Sequence, residues 1–268
     1  MNYKLQAARR AAHPAFFLTA FLLLQSALGQ TLKVDGVTAL SADKRGYCYV
    51  ATGSSVAMYG AQLEPLARYT CSFGKIASID ASDPFKILLF CKDFLRVLLL
   101  DSKLAALGSP IFLPDVNVLR PAAVCRSSSG NGLWVADAYR RQLLYLDFAL
   151  NAAREAALLD AYVADGEQHV SGMVEREGNV FLNLSGKSIA AFDKFGALLH
   201  LFSVPGISWF DVQGSELYYL SGGNLYAQNM LAWSDLPRLI ATGVERCAVA
   251  GSAIYTYSGG VLTKGTLR

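Results

Sequence analysis

The sequence predicts an all-β fold, a six-bladed β-propeller whose ring is closed by an N-terminal strand joining the last blade. Three observations carry that prediction. The first is a pair of internal periods, the mark of a repeat architecture. Leu98-Leu99-Leu100-Asp101, Leu144-Tyr145-Leu146-Asp147 and Ala190-Ala191-Phe192-Asp193 recur 46 residues apart, and Ser215 to Gly223 returns as Ser252 to Gly260 after 37. The second is the run of β-rich segments split by Gly, Asn, Asp and Ser turns, with few stretches that carry helical spacing. The third is the unit count. Second strands starting at Tyr47, Ile87, Leu133, Val180, Leu217 and Ile254 make six units of about 40 residues, the size of one four-stranded blade.

Within a unit, each element has its own warrant. The first strands are expected near Asp35, Lys75, Arg120, His169, Ser208 and Glu245. The second strands follow as the apolar runs Ile87 to Phe90, Leu133 to Ala136 and Val180 to Leu182. A Thr-Gly or Ser-Gly step (Thr52-Gly53, Ser185-Gly186, Ser221-Gly222, Ser258-Gly259) suits the tight hairpin that leads into the third strand, because such turns need positive φ. Two units use the longer connections Asp93 to Arg96 and Asp137 to Arg141. The third strands, Val97 to Leu100, Leu143 to Leu146 and Ile189 to Phe192, are apolar at successive positions. That suits strands covered on both faces by neighbouring blades and argues against a one-sided barrel. The ends complete the ring: Val261 to Leu267 leaves the sixth unit one strand short, and Thr31 to Val34 is a strand with no unit of its own. Pairing the two supplies the missing strand.

The Asp-terminated third strand followed by a polar or Gly turn resembles the six-bladed propellers of the NHL and YWTD class. More narrowly, Lys86-Ile87-Leu88-Leu89-Phe90 with Asp93-Phe94 and Leu98-Leu99-Leu100-Asp101 resembles a group of secreted, functionally uncharacterised propellers from the Bacteroidota. The likeness spans most of the chain after residue 29, and its motifs specify blades rather than chemistry. The YWTD and Asp-His-Pro signatures are absent, so no receptor-type or catalytic role follows from it.

Residues 1–29 read as a signal peptide: a basic start, the apolar run Ala15 to Leu24, and Ala27-Leu28-Gly29 with small residues where a signal peptidase looks. The apolar run is about half the roughly 20 residues of a spanning helix, so a membrane anchor is the weaker reading. Residues 30–268 form the propeller domain, exported to the periplasm or the outer-membrane surface of a Gram-negative bacterium. Lys4, Arg9 and Arg10 account for the whole excess of 24 basic over 21 acidic residues, leaving the remainder neutral. A neutral domain has no field to draw in phosphate backbones, which argues against nucleic acid as partner. At 53% apolar with a mean hydropathy of +0.31 the domain has enough apolar surface to expose patches, and such patches mark interfaces. No later segment is apolar enough to cross a bilayer.

Chemistry is sparse. Five cysteines (Cys48, Cys71, Cys91, Cys125, Cys247) leave at least one thiol unpaired and room for one or two bridges in an oxidising compartment; with no CxxC or Cys/His cluster to suggest a metal site, mostly buried thiols are the preferred reading. Gly186-Lys187-Ser188 imitates the tail of a phosphate loop, but Phe181 stands where that loop needs Gly. Asp101, Asp147 and Asp193 read as turn closers. Arg126, Arg176 and Arg246 are expected to pair with Glu175, Glu177 and Glu245. The leading reading is a non-catalytic interaction module that binds another envelope protein, through which it would associate with the outer membrane, and it needs no cofactor or metal. Its candidate binding residues, at the tunnel mouth, are Lys75, Arg120, His169 and Glu245. The alternatives are a binder of small molecules or glycans and a Ca²⁺-dependent lactone or phosphoester hydrolase using the tunnel.

Overall fold

The computed structural model describes residues 30–128, 131–148, 152–162 and 170–267. Six four-stranded antiparallel sheets succeed one another along the chain as the blades of a six-bladed β-propeller. From the tunnel outward, blade 1 comprises Val37–Ala42, Cys48–Thr52, Ser55–Tyr59 and Pro65–Thr70, and blade 2 comprises Ser78–Asp80, Ile87–Cys91, Arg96–Leu100 and Ile111–Phe112. Blade 3 runs from Pro121–Arg126 through Gly132–Asp137 and Gln142–Asp147 to Ala152–Leu158. Blade 4 is Val170–Arg176, Asn179–Leu184, Ser188–Phe192 and Leu198–Ser203, and blade 5 is Ile207–Gln213, Glu216–Ser221, Asn224–Asn229 and Arg238–Ala241. Blade 6 takes Arg246–Ala250, Ala253–Ser258 and Val261–Thr266 from the end of the chain and its outer strand, Gln30–Lys33, from the beginning. That closure runs antiparallel with Thr31 opposite Thr263 and Leu32 opposite Leu262, and Val34 N adds a bond to Gly260 O. The signal-peptide reading falls on residues 1–29, outside the described residues, as does His169.

The reason successive positions are apolar is visible in the packing. The six hydrophobic clusters are the six seams between consecutive blades, so every middle strand buries both faces. In the second strand of blade 2, Ile87, Leu89 and Cys91 pack into the seam with blade 1, while Leu88 and Phe90 pack into the seam with blade 3. A single-faced sheet would show alternation here; a blade between blades does not.

Turn chemistry fixes the hairpins. In blades 5 and 6 the two central residues are Gly222-Gly223 and Gly259-Gly260, all at positive φ, with Ser221 and Ser258 as the last strand residues rather than turn residues. Both central positions of a type I′ turn need positive φ, which glycine adopts without cost. The recurrent aspartates close turns. Asp101 Oδ1 accepts from the amides of Lys103 and Ala105 at 2.8 Å, and Asp193 Oδ1 accepts from Phe195 and Ala197. These amides hold the exposed Asp101 carboxyl below its ordinary range.

Candidate site in the central tunnel

The inner strands enclose a tunnel of about 410 Å³. Its wall alternates small residues (Ala39, Ser78, Ala123, Gly172, Ser208) with a few large ones (Met173, Trp209, Phe210), because six strands converging on an axis leave room for few bulky side chains. Its two ends are built differently.

At the end where the inner strands finish, charge is paired across the seams. Arg126, the last residue of blade 3's inner strand, reaches back to blade 2: its Nη1 donates to Asp83 Oδ2 at 2.6 Å, and its backbone N donates to Asp80 Oδ2. Glu175 of blade 4 accepts from Ser128 N and Oγ and, at 2.6 Å, from Trp134 Nε1 of blade 3. Arg176 then turns the other way and meets Asp211 of blade 5 at 2.7 Å. A relay of polar contacts thus ties blades 2, 3, 4 and 5. Burial pushes the Asp211 carboxyl up, against the pull of Arg176. At Asp83, burial also pushes upward, but the Phe85 amide and Arg126 outweigh it and hold the carboxyl below its ordinary range. The expected pairing of these arginines with Glu175, Glu177 and Glu245 is corrected: their partners are aspartates on adjacent blades, because a side chain at the end of an inner strand projects over the neighbouring strand end. Arg246 pairs with no carboxylate among the described residues; its Nε donates to Val37 O of blade 1 at 2.9 Å.

At the opposite end, where the inner strands begin, charges stand alone. Lys92, Arg246 and Glu245 line the tunnel there. Glu245 Oε1 accepts from Gly259 N, and neither Lys92 nor Arg246 has a carboxylate partner among the described residues. Lys75 and Arg120 are exposed on the same face, outside the tunnel wall, also without carboxylate partners among the described residues. The inner strand of blade 2 starts at Ser78, three residues after Lys75, which leaves that lysine in the approach loop. Of the residues singled out from the sequence, Glu245 therefore lines the tunnel, Lys75 and Arg120 stand at its surround, and His169 lies outside the described residues. Lys92 and Trp209 were missed as tunnel residues. Their signal was positional, one immediately after a second strand and the other two residues into an inner strand.

Around this mouth, blades 2 and 3 expose Phe94, Leu119 and Tyr139 at 52%, 50% and 67%. Phe94 lies over Gly74, where a Cβ would stand 2.7 Å from its ring and displace it, and the φ of +70° at residue 74 independently favours glycine. Arg96 is sandwiched at 4.8 Å and 4.6 Å between Phe73 and Phe112, which fixes that loop to blade 2. On the other face the exposed Phe85 and Phe195 lie on separate blades, each under a cation, Arg45 and Lys194.

No protein-family model and no curated protein matches this chain. Its fold has many relatives among solved structures. A streptogramin B lyase superposes with a TM-score of 0.57 at 10% identity, covering 90% of this chain and 86% of that one. The virginiamycin B lyase of Staphylococcus aureus gives 0.56 at 10%, covering 89% and 88%. The WD40 domain of Neurospora crassa Pan2 gives 0.56 at 8%, covering 83% and 72%. At such identities the likeness shows the propeller alone, shared by lyases and WD40 domains. Among the described residues no three His, Cys, Asp or Glu side chains gather as a metal-binding group, and no helix is long and apolar enough to cross a membrane.

Proposed function

We propose that this protein is an exported, non-catalytic interaction module of the cell envelope that binds another envelope protein through the face where the inner strands begin. One observation supports the reading above the others: charges without carboxylate partners among the described residues (Lys75, Lys92, Arg120) and exposed apolar side chains (Phe94, Leu119, Tyr139) gather on blades 2 and 3 around one mouth of the tunnel. Large apolar side chains beside unpaired cations match a partner surface that offers carboxylates around an apolar anchor. Co-purification from native envelopes, compared between the wild type and a Lys75→Glu/Arg120→Glu variant, tests this. The partner should be retained by the first and lost by the second. A protein that runs alone under gentle extraction, or a variant that keeps its partner, overturns the reading.

The tunnel supports a second reading, a binder of small anionic molecules or glycans. The Trp209 ring, the Arg246 and Lys92 cations and the hydroxyls of Ser78, Ser171 and Ser208 converge on a cavity of ligand size. A thermal shift with acidic sugars but no protein partner would favour it.

A further inference from the structure

The seam between blades 1 and 2 differs from the relay that joins blades 2 to 5. Across it, besides apolar packing, the Thr38 hydroxyl donates to Ile76 O, the Ile76 amide to Gly53 O and the Ala81 amide to Ser41 Oγ, Arg45 lies over the Phe85 ring, and a pair of sulfur atoms meets. Cys71 Sγ and Cys91 Sγ stand 3.1 Å apart, both buried. A disulfide bond is about 2.0 Å long, so roughly an ångström of movement separates these thiols from a covalent link. Among the described residues the other three cysteines, Cys48, Cys125 and Cys247, make no sulfur–sulfur contact.

We propose that Cys71 and Cys91 are a disulfide site that staples blade 1 to blade 2 beneath the tunnel mouth. Its occupation in the cell rests on the reading that the protein is exported to an oxidising compartment. The bond forms by thiol–disulfide exchange with an oxidant of the disulfide class. One cysteine thiolate attacks the oxidant, releasing its first thiol, and the second cysteine displaces the other thiol from the mixed disulfide. Two protein thiols lose two protons and two electrons; the oxidant becomes two thiols.

The position gives the bond its consequence. Cys71 opens the approach loop that carries Phe73, Gly74 and Lys75, and its amide donates to Ser54 O at the hairpin of blade 1. Cys91 ends the second strand of blade 2, directly before Lys92 and Phe94. A link between them fixes the loop with Lys75 against the turn with Phe94. Burial and the neighbouring sulfur push the Cys91 thiol well above its ordinary range, so the folded, reduced protein is a poor nucleophile there. Exchange belongs to folding rather than to later signalling.

The full chain, reduced and refolded in glutathione redox buffer, is denatured, alkylated with iodoacetamide and digested with trypsin. The expected product is a chain two hydrogens lighter with three alkylated cysteines, in which peptide 69–75 is joined to peptide 87–92. Five alkylated cysteines, or a link between any other pair, overturns the proposal. Cys71→Ser and Cys91→Ser should each lower the melting temperature of the oxidised protein by roughly 5–10 °C, with no further loss in the double variant. In dithiothreitol the difference between wild type and variants should shrink to what the buried Cys→Ser change costs by itself; a difference of the same size with and without dithiothreitol points to packing alone and also overturns it. None of these readouts needs the envelope partner, so this proposal and the function reading fail separately.

Discussion

The two mouths of the tunnel are made by opposite ends of the same six strands, and they treat charge in opposite ways. Where the inner strands finish, Arg126, Glu175, Arg176 and Asp211 are turned toward neighbouring blades and paired. Where they begin, Lys92 and Arg246 face the cavity, and Lys75 and Arg120 face solvent, all without carboxylate partners among the described residues. A paired charge at a seam holds two blades in register, and an unpaired charge on a rigid rim is left for something outside the molecule. The difference sets a structural end apart from the end proposed above for recognition.

The largest test of the difference is Arg176→Met. Removing the guanidinium leaves Asp211 desolvated and unpaired, and breaking a buried pair from one side costs about 3 kcal/mol. Urea unfolding should show that loss, and adding Asp211→Asn should restore about 1 kcal/mol or more, the coupling expected of residues in contact. If the single variant unfolds like the wild type, the paired end is not what holds blades 4 and 5 together.

Trp134→Phe is the next step down. It keeps an aromatic ring in the seam between blades 3 and 4 but deletes the Nε1 donor to Glu175 together with part of a fully buried indole. The carboxylate retains Ser128 N and Oγ, and the lost donor and the small cavity together should cost about 2 kcal/mol. A second substitution, Glu175→Gln, should not add its full cost to the first.

How much of this was readable in advance follows from where each residue gets its partners. Blade strands announce themselves because both faces are buried, so Ile87 to Phe90 or Leu143 to Leu146 need no tertiary knowledge to be seen as core. The closure was legible for the same reason: Leu32 had to find an apolar seam, and only the sixth unit lacked a strand. The charged relay was not legible. Arg176 lies beside Glu175 and Glu177 in sequence, yet its partner Asp211 is on the next blade, and nothing local encodes the rotation that brings the two inner strands together. Trp209 was not legible either, because an aromatic residue in an inner strand serves a seam or a tunnel wall equally well. The Cys71–Cys91 pair was hidden among ten combinations that spacing alone could not rank.

A smaller effect separates the ends by pH. Asp83 is held below its ordinary range in the folded state by the Phe85 amide and Arg126, over the opposing push of burial. Its contribution is therefore complete above the unfolded carboxylate value of about 4 and lost as pH falls through the lower folded value. The side chain is 37% exposed, and solvent screening discounts the contribution to below about 1 kcal/mol. Acid titration of stability should be slightly shallower below pH ~4 in Asp83→Asn than in the wild type. An unchanged titration would show that the Arg126 contact is not felt by the fold.

The smallest expected effect on stability is the most informative about the proposed recognition end. Lys75 and Arg120 make no ion pair among the described residues, and both are exposed, so the Lys75→Glu/Arg120→Glu variant removes no contact the fold depends on. Surface substitutions away from caps, cores and ion pairs stay within about 0.5 kcal/mol. The variant should therefore unfold at the same urea concentration as the wild type while its association with the envelope partner falls. Reversal at these two positions also leaves the wall of the tunnel unchanged, since neither lines it. A small ligand held by Trp209 and Arg246 should then bind both proteins alike, whereas a protein partner seated on Phe94, Leu119 and Tyr139 should distinguish them. If stability falls by as much as it does in Arg176→Met, the rim charges are structural after all, and the contrast between the two ends collapses.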